Sequence, residues 1–200
     1  YFSEDPLITG MMAAAVVRGI RSGGGVATLK HFACNNQEFA RATADSVVSE
    51  RALREIYLKG FEYAVKSAGA SAVMTAYNPV NGYQAASSYD LTTTILREEW
   101  GFRGIVMTDW WATMNDPIDG GAASTRNTAA MIRAQNDLYM VVNNNGAEVN
   151  AAGDNTLAAL AKGELTLGEL QRCAINILDF MLQTQAFKRG EAPRADRKSV

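Results

Sequence analysis

The sequence has little of what would place it in a specialised class of protein. It contains a single histidine, a net charge of −2 and two cysteines. One histidine excludes a His-rich metal site, and near-zero charge argues against a nucleic-acid or anionic-membrane partner. No apolar run approaches the roughly 20 residues that a transmembrane helix needs. We therefore expect no metal, no cofactor, no nucleic-acid partner and no membrane partner.

The two cysteines are the next scarce feature. Cys34 and Cys173 lie far apart in the sequence and match no metal-binding spacing, so we expect two buried free thiols. The chain begins at Tyr1 rather than at methionine, which leaves open a preceding targeting segment. The compartment therefore cannot be read from the sequence; we expect a soluble protein and lean towards the bacterial cytoplasm.

What is present is an ordinary globular composition with alternating helical and extended segments. The 200 residues are 48% hydrophobic, enough for one substantial core. Helices are predicted from Asp5-Pro6 to Arg21, from Ser49 to Lys66, over residues 90–99 and up to Met131-Ile132. Short apolar strands are predicted between and after them, over residues 26–29, 72–76, 105–108 and 137–142.

The remaining segments are a loop, a helix and a tail. We predict a loop over residues 143–146. Thr166 and Glu169 form a capping box that opens the last helix. The apolar stripe of that helix consists of Leu170, Cys173, Ala174, Ile177, Leu178, Met181 and Leu182. The charged, aperiodic residues 188–200 indicate a linker or tail, which leaves one domain over residues 1–187.

The strands are apolar on both faces and alternate with helices, which predicts an α/β fold with a parallel sheet covered by helices. Four strands are too few for a closed (β/α)8 barrel, which needs eight over roughly 250 residues. The pattern therefore fits either a small open α/β sheet or half of a barrel.

Reactive side chains follow three of the predicted strands, at Lys30-His31, Tyr77 and Asp109-Trp110. In parallel α/β folds, functional groups lie just beyond the carboxyl ends of the strands, so these groups would meet at one rim. Each also has a plainer interpretation as a loop aspartate, a solvated lysine or a packing residue. Lys30 and His31 can both reach one ligand only if their strand is kinked, because adjacent strand side chains point to opposite faces.

Asp109 is the candidate nucleophile of a sugar site. Sugar rings present apolar C–H faces that stack on an indole such as that of Trp110. A glycosidase nucleophile must be ionised, and Lys30 and Arg41 are candidates for the cations that favour the charged form. With His31, these two residues also offer charge-assisted hydrogen bonds to sugar hydroxyls.

A series of short motifs then completes the pattern. In chain order they are Tyr1-Phe2-Ser3-Glu4-Asp5-Pro6, Lys30-His31-Phe32, Asn35-Asn36-Gln37-Glu38 with Arg41, Ser49-Glu50-Arg51-Ala52-Leu53-Arg54-Glu55-Ile56-Tyr57-Leu58, Met74-Thr75-Ala76-Tyr77-Asn78, Trp100-Gly101-Phe102 and Val106-Met107-Thr108-Asp109-Trp110. Together they resemble glycoside hydrolase family 3, and most of all the β-glucosidases of that family. The resemblance runs from Tyr1 to about Met181.

The resemblance implies a (β/α)8, or TIM, barrel and a retaining β-glycosidase. Such an enzyme hydrolyses terminal β-D-glucosyl residues of a β-glucoside or oligosaccharide through a covalent glycosyl–enzyme intermediate, here on Asp109. It further implies that Lys30, His31 and Arg41 bind the glycone. Tyr77 would lie near the nucleophile and Trp110 against the sugar.

The chain departs from the family pattern by containing only about strands five to eight of the barrel. The acid/base of the family usually comes from a separate α/β sandwich domain, which nothing here matches. Glu38 and Glu98 are not defensible substitutes, although we expect Glu38 to orient its neighbours. The expected partner is therefore the rest of the parent enzyme, with its other half barrel and its sandwich domain. A second copy of the chain in a homo-oligomer is the alternative.

Three other functions stay open at this point. The first is a β-xylosidase or related exo-glycosidase of the same family. The second is an enzyme of another class with Lys30 as a Schiff-base lysine. The third is a non-catalytic carbohydrate-binding or scaffold relative. For the isolated 200 residues, which would hold half of the site, we expect no hydrolysis.

Overall fold

A computed structural model describes residues 2–140, 150 and 152–188 of the chain. The α-helices are α1 (Pro6–Ser22), α2 (Glu50–Ala52), α3 (Lys59–Ala68), α4 (Thr128–Arg133), α5 (Thr156–Lys162), α6 (Leu167–Gln183) and α7 (Gln185–Lys188). The strands are β1 (Thr28–Phe32), β2 (Ala72–Thr75), β3 (Pro79–Val80), β4 (Tyr83–Gln84), β5 (Ile105–Met107), β6 (Met114–Asp116) and β7 (Gly120–Ser124). Leu53–Tyr57 and Asp90–Glu99 are π-helical, and Ala85–Ser87 form a 3₁₀ turn.

The central sheet is parallel and follows the order β1-β2-β5. Thr28 pairs with Ala72, and Val73 pairs with Val106. Leu138 adds a parallel bridge to Met107, so the predicted fourth strand begins next to β5, while its residues 141 and 142 lie outside the described part. The α/β class with parallel strands is confirmed, and the described residues form no closed barrel.

Strand β1 differs from its prediction in position and in regularity. It begins at Thr28 and continues through the polar pair Lys30 and His31, because pairing with β2 rather than apolarity sets its end. Its register moves from Leu29 opposite Val73 to Phe32 opposite Thr75, so three steps on β1 match two on β2. A bulge of this kind re-aims side chains. The backbone of β1 is therefore irregular at Lys30 and His31, and His31 reaches Asp109.

The predicted caps are present at the starts of α1 and α6, whereas Asp90 lies inside its helix, whose N-cap is Tyr89. The Asp5 carboxylate accepts hydrogen bonds from the backbone N–H groups of Leu7 and Ile8 at the start of α1. Gly69, with φ 62°, ends α3 in the left-handed conformation that glycine tolerates best. The predicted capping box is also present, since Thr166 and Glu169 each bind the other's backbone N–H at the start of α6.

The helix predicted from Ser49 to Lys66 is interrupted by the π-helical segment Leu53–Tyr57, and this changes which residues face the core. An i→i+5 turn inserts one extra residue and rotates the following side chains. Leu58 is therefore buried, whereas Ile56 is 50% exposed. At 3.6 residues per turn Ile56 and Tyr57 would share one face with Leu53, and the inserted residue explains why both are exposed instead.

Two antiparallel hairpins, β3–β4 and β6–β7, were not predicted. Asn81 and Gly82 connect the first, both with positive φ, which is the Asn-Gly signature of a tight hairpin turn. The second includes Gly120–Ser124, whose residues have low strand propensity. The Asn-Gly turn of the first hairpin could therefore have been predicted from the sequence, whereas strand β7 could not.

The apolar stripe predicted for α6 is buried at one residue only. Cys173 packs into a core cluster with Met114, Met131 and Leu165, but Leu178 is 57% exposed. Met181 and Leu182 are exposed as well, and so are Met11 and Met12 on α1. The described residues therefore leave two apolar helix faces uncovered.

Both cysteines are buried free thiols, as predicted. Burial raises the pKa of Cys34 and that of Cys173 to about 12, which makes both poor nucleophiles at neutral pH. Within the part of the chain that the structure describes, no helix has the length and apolarity to cross a membrane. The predicted loop over 143–146 and residues 189–200 of the predicted tail lie outside that part, while Lys188 ends α7.

Candidate active site

The three parallel strands bring the predicted site residues to one edge of the sheet. His31 lies in β1, Tyr77 follows β2 by two residues, and Asp109 follows β5 by two residues. The carboxyl ends of parallel strands meet at a common rim, so the three side chains converge there although they are far apart in sequence.

The Asp109 carboxylate is buried, with a hydrogen-bond donor on one oxygen and an imidazole beside the other. The Trp110 backbone N–H donates to Oδ1 at 2.8 Å, and His31 Nε2 lies 3.3 Å from Oδ2. The preceding residue Thr108 is anchored to the next segment, because its N–H donates to the Leu138 carbonyl at 2.9 Å. The orientation of the carboxylate is therefore set by the backbone and by one imidazole.

Burial lowers the pKa of His31 below its ordinary value of 6.5. The negative charge of Asp109 opposes this shift, whereas the positive charges of Lys30 and Arg41 reinforce it. A lowered pKa favours the neutral imidazole at pH 7, with one N–H available as a donor. Lys30 is exposed, and its recorded effect on the site is this lowering of the His31 pKa.

The lowered pKa of His31 can be tested by titration. Because the chain has one histidine, its imidazole proton resonances can be followed by NMR without mutagenesis. We expect a titration midpoint below 6.5. Asp109→Asn removes a charge that raises this pKa, so the midpoint should fall further. The exposed control Asp116→Asn should leave it unchanged, and a midpoint above 6.5 in the unsubstituted chain would contradict the assignment.

Tyr77 and Trp110 are linked by a hydrogen bond. The Tyr77 hydroxyl donates to the Trp110 carbonyl at 2.5 Å. Burial, and then the charge of Asp109, raises the pKa of Tyr77, so the phenol keeps its proton. The indoles of Trp110 and Trp111 are each 41% exposed, and Trp111 has the left-handed φ of 56°. Exposed aromatic surface thus lies directly beside the buried carboxylate.

Arg41 joins the site through the ring of Tyr77. Its guanidinium carbon lies 4.9 Å from the centroid of that ring, within cation–π range. Its Nη1 donates to Glu38 Oε2 at 2.7 Å, and Glu38 Oε1 accepts from Asn35 Nδ2 at 3.2 Å. The sequence predicted that Glu38 orients its neighbours, and the structure identifies two of them as Arg41 and Asn35.

Asn78 has a structural role that the sequence did not reveal. It is buried, and its Nδ2 lies within hydrogen-bonding distance of the Ala33 carbonyl at 3.1 Å and of Ser46 Oγ at 3.3 Å. These contacts tie the end of β2 to the loop that follows β1. A pocket of about 270 Å³ lies along this loop and is lined by Arg41 and Asn78, so it adjoins the rim at Arg41 rather than at the carboxylate of Asp109.

The structure therefore links the predicted residues His31, Arg41, Tyr77, Asp109 and Trp110 by direct contacts, whereas Lys30 is exposed and is not linked to them by a described contact. Among the described residues, no group of three or more His, Cys, Asp or Glu side chains is placed to hold a metal ion. A fixed, buried carboxylate beside exposed indoles and hydrogen-bond donors is suited to attack on a sugar.

Comparison with known proteins points in the same direction. The model described as the glycosyl hydrolase family 3 N terminal domain matches residues 1–179. A β-glucosidase from Ruminococcus albus is 57% identical over 189 residues, which are 94% of this chain and 19% of the relative. The chain thus spans about a fifth of that relative.

Solved structures give the same result at the level of the fold. A β-glucosidase from Paenibacillus barengoltzii superposes with a TM-score of 0.92 at 68% identity, over 94% of this chain and 20% of that one. β-Glucosidase 3B from Thermotoga neapolitana, solved in complex with α-D-glucose, superposes with a TM-score of 0.80 at 41% identity. It covers 94% of this chain and 25% of its own length.

Proposed function

Since the chain belongs to glycosyl hydrolase family 3, we propose that it carries the nucleophile side of a retaining β-glucosidase active site. The observation that supports this most is the Asp109 carboxylate, which is 6% exposed and bound by His31 and by the Trp110 N–H. A nucleophile must be held in one orientation to attack a single carbon atom, and both contacts do so.

In the proposed reaction, one oxygen of Asp109 attacks the anomeric carbon of a β-glucoside. The bond between that carbon and the aglycone oxygen breaks, and the leaving oxygen takes a proton from an acid outside this chain. The resulting glycosyl ester on Asp109 is then hydrolysed by water, which releases glucose with its configuration retained. The reaction needs no cofactor.

The neighbouring residues have separate proposed roles in this site. Lys30, His31 and Arg41 donate to hydroxyls of the glycone, while Trp110 stacks against the apolar face of the sugar. The Tyr77 hydroxyl binds the Trp110 carbonyl, and this hydrogen bond fixes the position of the indole relative to Asp109. Glucose is the proposed glycone because the similar enzyme from Thermotoga neapolitana was solved in complex with it.

The proposed architecture is the second half of a (β/α)8 barrel, about strands five to eight. Support comes from the order of the sheet, in which β1, β2, β5 and the Leu138 segment are neighbours in the same order as in the chain. A barrel requires this sequential order, whereas an open doubly wound sheet reverses its strand order at a switch point.

We further propose that a longer parent protein supplies the rest of the barrel and the acid/base domain. The relative from Ruminococcus albus is about five times the length that the chain matches, and the apolar faces of α1 and α6 are uncovered among the described residues. Large exposed apolar surface is typical of an interface with more protein. The isolated 200 residues should accordingly hydrolyse no nitrophenyl glucoside.

A mechanism-based inactivator tests the proposal. A 2-fluoro-β-glucoside with a good leaving group forms the glycosyl ester but slows its hydrolysis, because fluorine destabilises the positively charged transition state. In the full-length parent protein we expect this label on the peptide that contains Asp109. Incubation of the isolated chain, which would hold only half of the proposed barrel and of its glycone site, is the matched control and should give no label. A label on any other carboxylate would refute the assignment.

A further inference from the structure

We propose that Glu38 is a positioning residue that holds Arg41 in place for the glycone, acting through Arg41 and not on the sugar itself. This inference rests on the proposed function, because it assumes that Arg41 binds substrate. The observation that carries it is the pair of contacts made by the Glu38 carboxylate, to Arg41 on one oxygen and to Asn35 on the other.

The backbone of this segment does not fix Arg41 firmly. Residues 35–38 have no regular secondary structure, and the Arg41 N–H reaches the Glu38 carbonyl at 3.4 Å, which is long for a backbone hydrogen bond. Between the two residues, Ala40 has the left-handed φ of 52°, a conformation that alanine rarely adopts. The Glu38–Arg41 side-chain contact closes this turn across the unfavourable residue.

Stability alone is a poor explanation for this ion pair. The Glu38 side chain is 68% exposed and the Arg41 side chain is 41% exposed, and solvent-exposed pairs contribute little to folding. The Glu38 carboxylate instead limits the orientations that the Arg41 guanidinium can adopt. The guanidinium in turn lies over the ring of Tyr77.

The contacts continue from Tyr77 to the nucleophile. The Tyr77 hydroxyl binds the Trp110 carbonyl, and the Trp110 N–H binds Asp109. Glu38 is therefore connected to Asp109 through three intermediate residues, while its own carboxylate contacts Arg41 and Asn35. A residue in this position should affect how well the glycone is bound more than how fast the bound sugar reacts.

The test is steady-state kinetics of nitrophenyl glucoside hydrolysis by the full-length parent with Glu38→Gln. Glutamine keeps the shape of the side chain but makes a neutral hydrogen bond to Arg41. We expect KM to rise about 10-fold and kcat to stay within about 2-fold, because binding is lost equally in the ground and transition states. Glu55→Gln is the matched control: Glu55 is 62% exposed and pairs with Arg51 on a helix surface. It should change neither constant.

A double-mutant cycle shows whether Glu38 acts through Arg41. In an Arg41→Ala background, Glu38→Gln should change KM by less than about 2-fold, since its target is gone. Equal effects in both backgrounds would overturn the proposal, and so would a loss of kcat with KM unchanged. Thermal unfolding of Glu38→Gln should match that of Glu55→Gln, and a large fall in its midpoint would also overturn it. The 2-fluoroglucoside label reports separately on the proposed function, since it does not depend on Glu38.

Discussion

Replacing Asp109 by glycine in the full-length parent is expected to lower kcat for glucoside hydrolysis by about 10⁴-fold or more, because the covalent route is lost. The side chain is buried, and its orientation is set by the Trp110 N–H on one oxygen and by His31 beside the other. Glu38, the other carboxylate near the rim, is held by Arg41 and Asn35.

Added azide separates loss of the nucleophile from loss of the fold. The glycine variant leaves a space where the carboxylate stood, and an azide ion in that space can attack the anomeric carbon from the same side. Attack on a β-glucoside then yields the α-glucosyl azide, with one inversion and no second displacement. We expect azide to restore release of an activated aglycone and to give this product, which NMR identifies by its anomeric coupling constant.

The control for this experiment is Asp116→Asn. Asp116 is an exposed carboxylate that accepts hydrogen bonds from the Ile118 and Asp119 backbone N–H groups in a turn. This variant should keep its activity and should not respond to azide. Wild-type kcat in the glycine variant, or formation of the β-glucosyl azide, would show that Asp109 is not the nucleophile.

The rim of the site was predictable because strand ends in parallel sheets meet at one edge. His31, Tyr77 and Asp109 each follow or end an apolar strand, and that position in the pattern was enough to group them. The bulge in β1 was also foreseeable as a requirement, since Lys30 and His31 are adjacent. Its location follows from pairing with β2, which depends on residues more than 40 positions away.

Other features depend on long-range contacts that local patterns do not contain. The π-helical turn at Leu53–Tyr57 moved Leu58 into the core and Ile56 out of it. Period counting assumes 3.6 residues per turn, so it fails at such an insertion. The exposure of Leu178 on α6 could not be predicted either. An apolar stripe indicates that a helix face favours burial, but it does not indicate which other element packs against that face.

Replacing Asp137 by alanine is expected to destabilise the chain by about 3–5 kcal/mol, the usual cost of leaving a buried charge without its partner. Asp137 lies at the start of the segment beside β5, and its side chain is 0% exposed. Its Oδ2 accepts from Arg97 Nη2 at 2.6 Å and from the Val106 N–H at 2.9 Å, while Oδ1 accepts from Asn176 Nδ2 at 2.8 Å. One carboxylate thus joins the π-helical segment Asp90–Glu99, β5 and α6.

The loss of stability in Asp137→Ala comes mainly from Arg97, which would remain buried without its partner. Burial raises the pKa of Asp137 and lowers that of Arg97, because it disfavours both charges, and the ion pair opposes both shifts. Without Asp137, Arg97 keeps hydrogen bonds to the Gln135 and Gly104 carbonyls but loses the only charge that compensates its own among its described contacts. The Val106 N–H, buried at the start of β5, loses its acceptor at the same time.

Urea denaturation of the isolated chain measures this difference in the free energy of unfolding. Glu55→Ala is the control, because it breaks an ion pair whose side chains are 84% and 62% exposed and should cost less than about 1 kcal/mol. The double variant Arg97→Met with Asp137→Leu removes both charges and should recover much of the stability lost in Asp137→Ala. A loss below about 1 kcal/mol for Asp137→Ala, or a double variant that is less stable still, would mean that the network does not hold these three elements together in the way its contacts indicate.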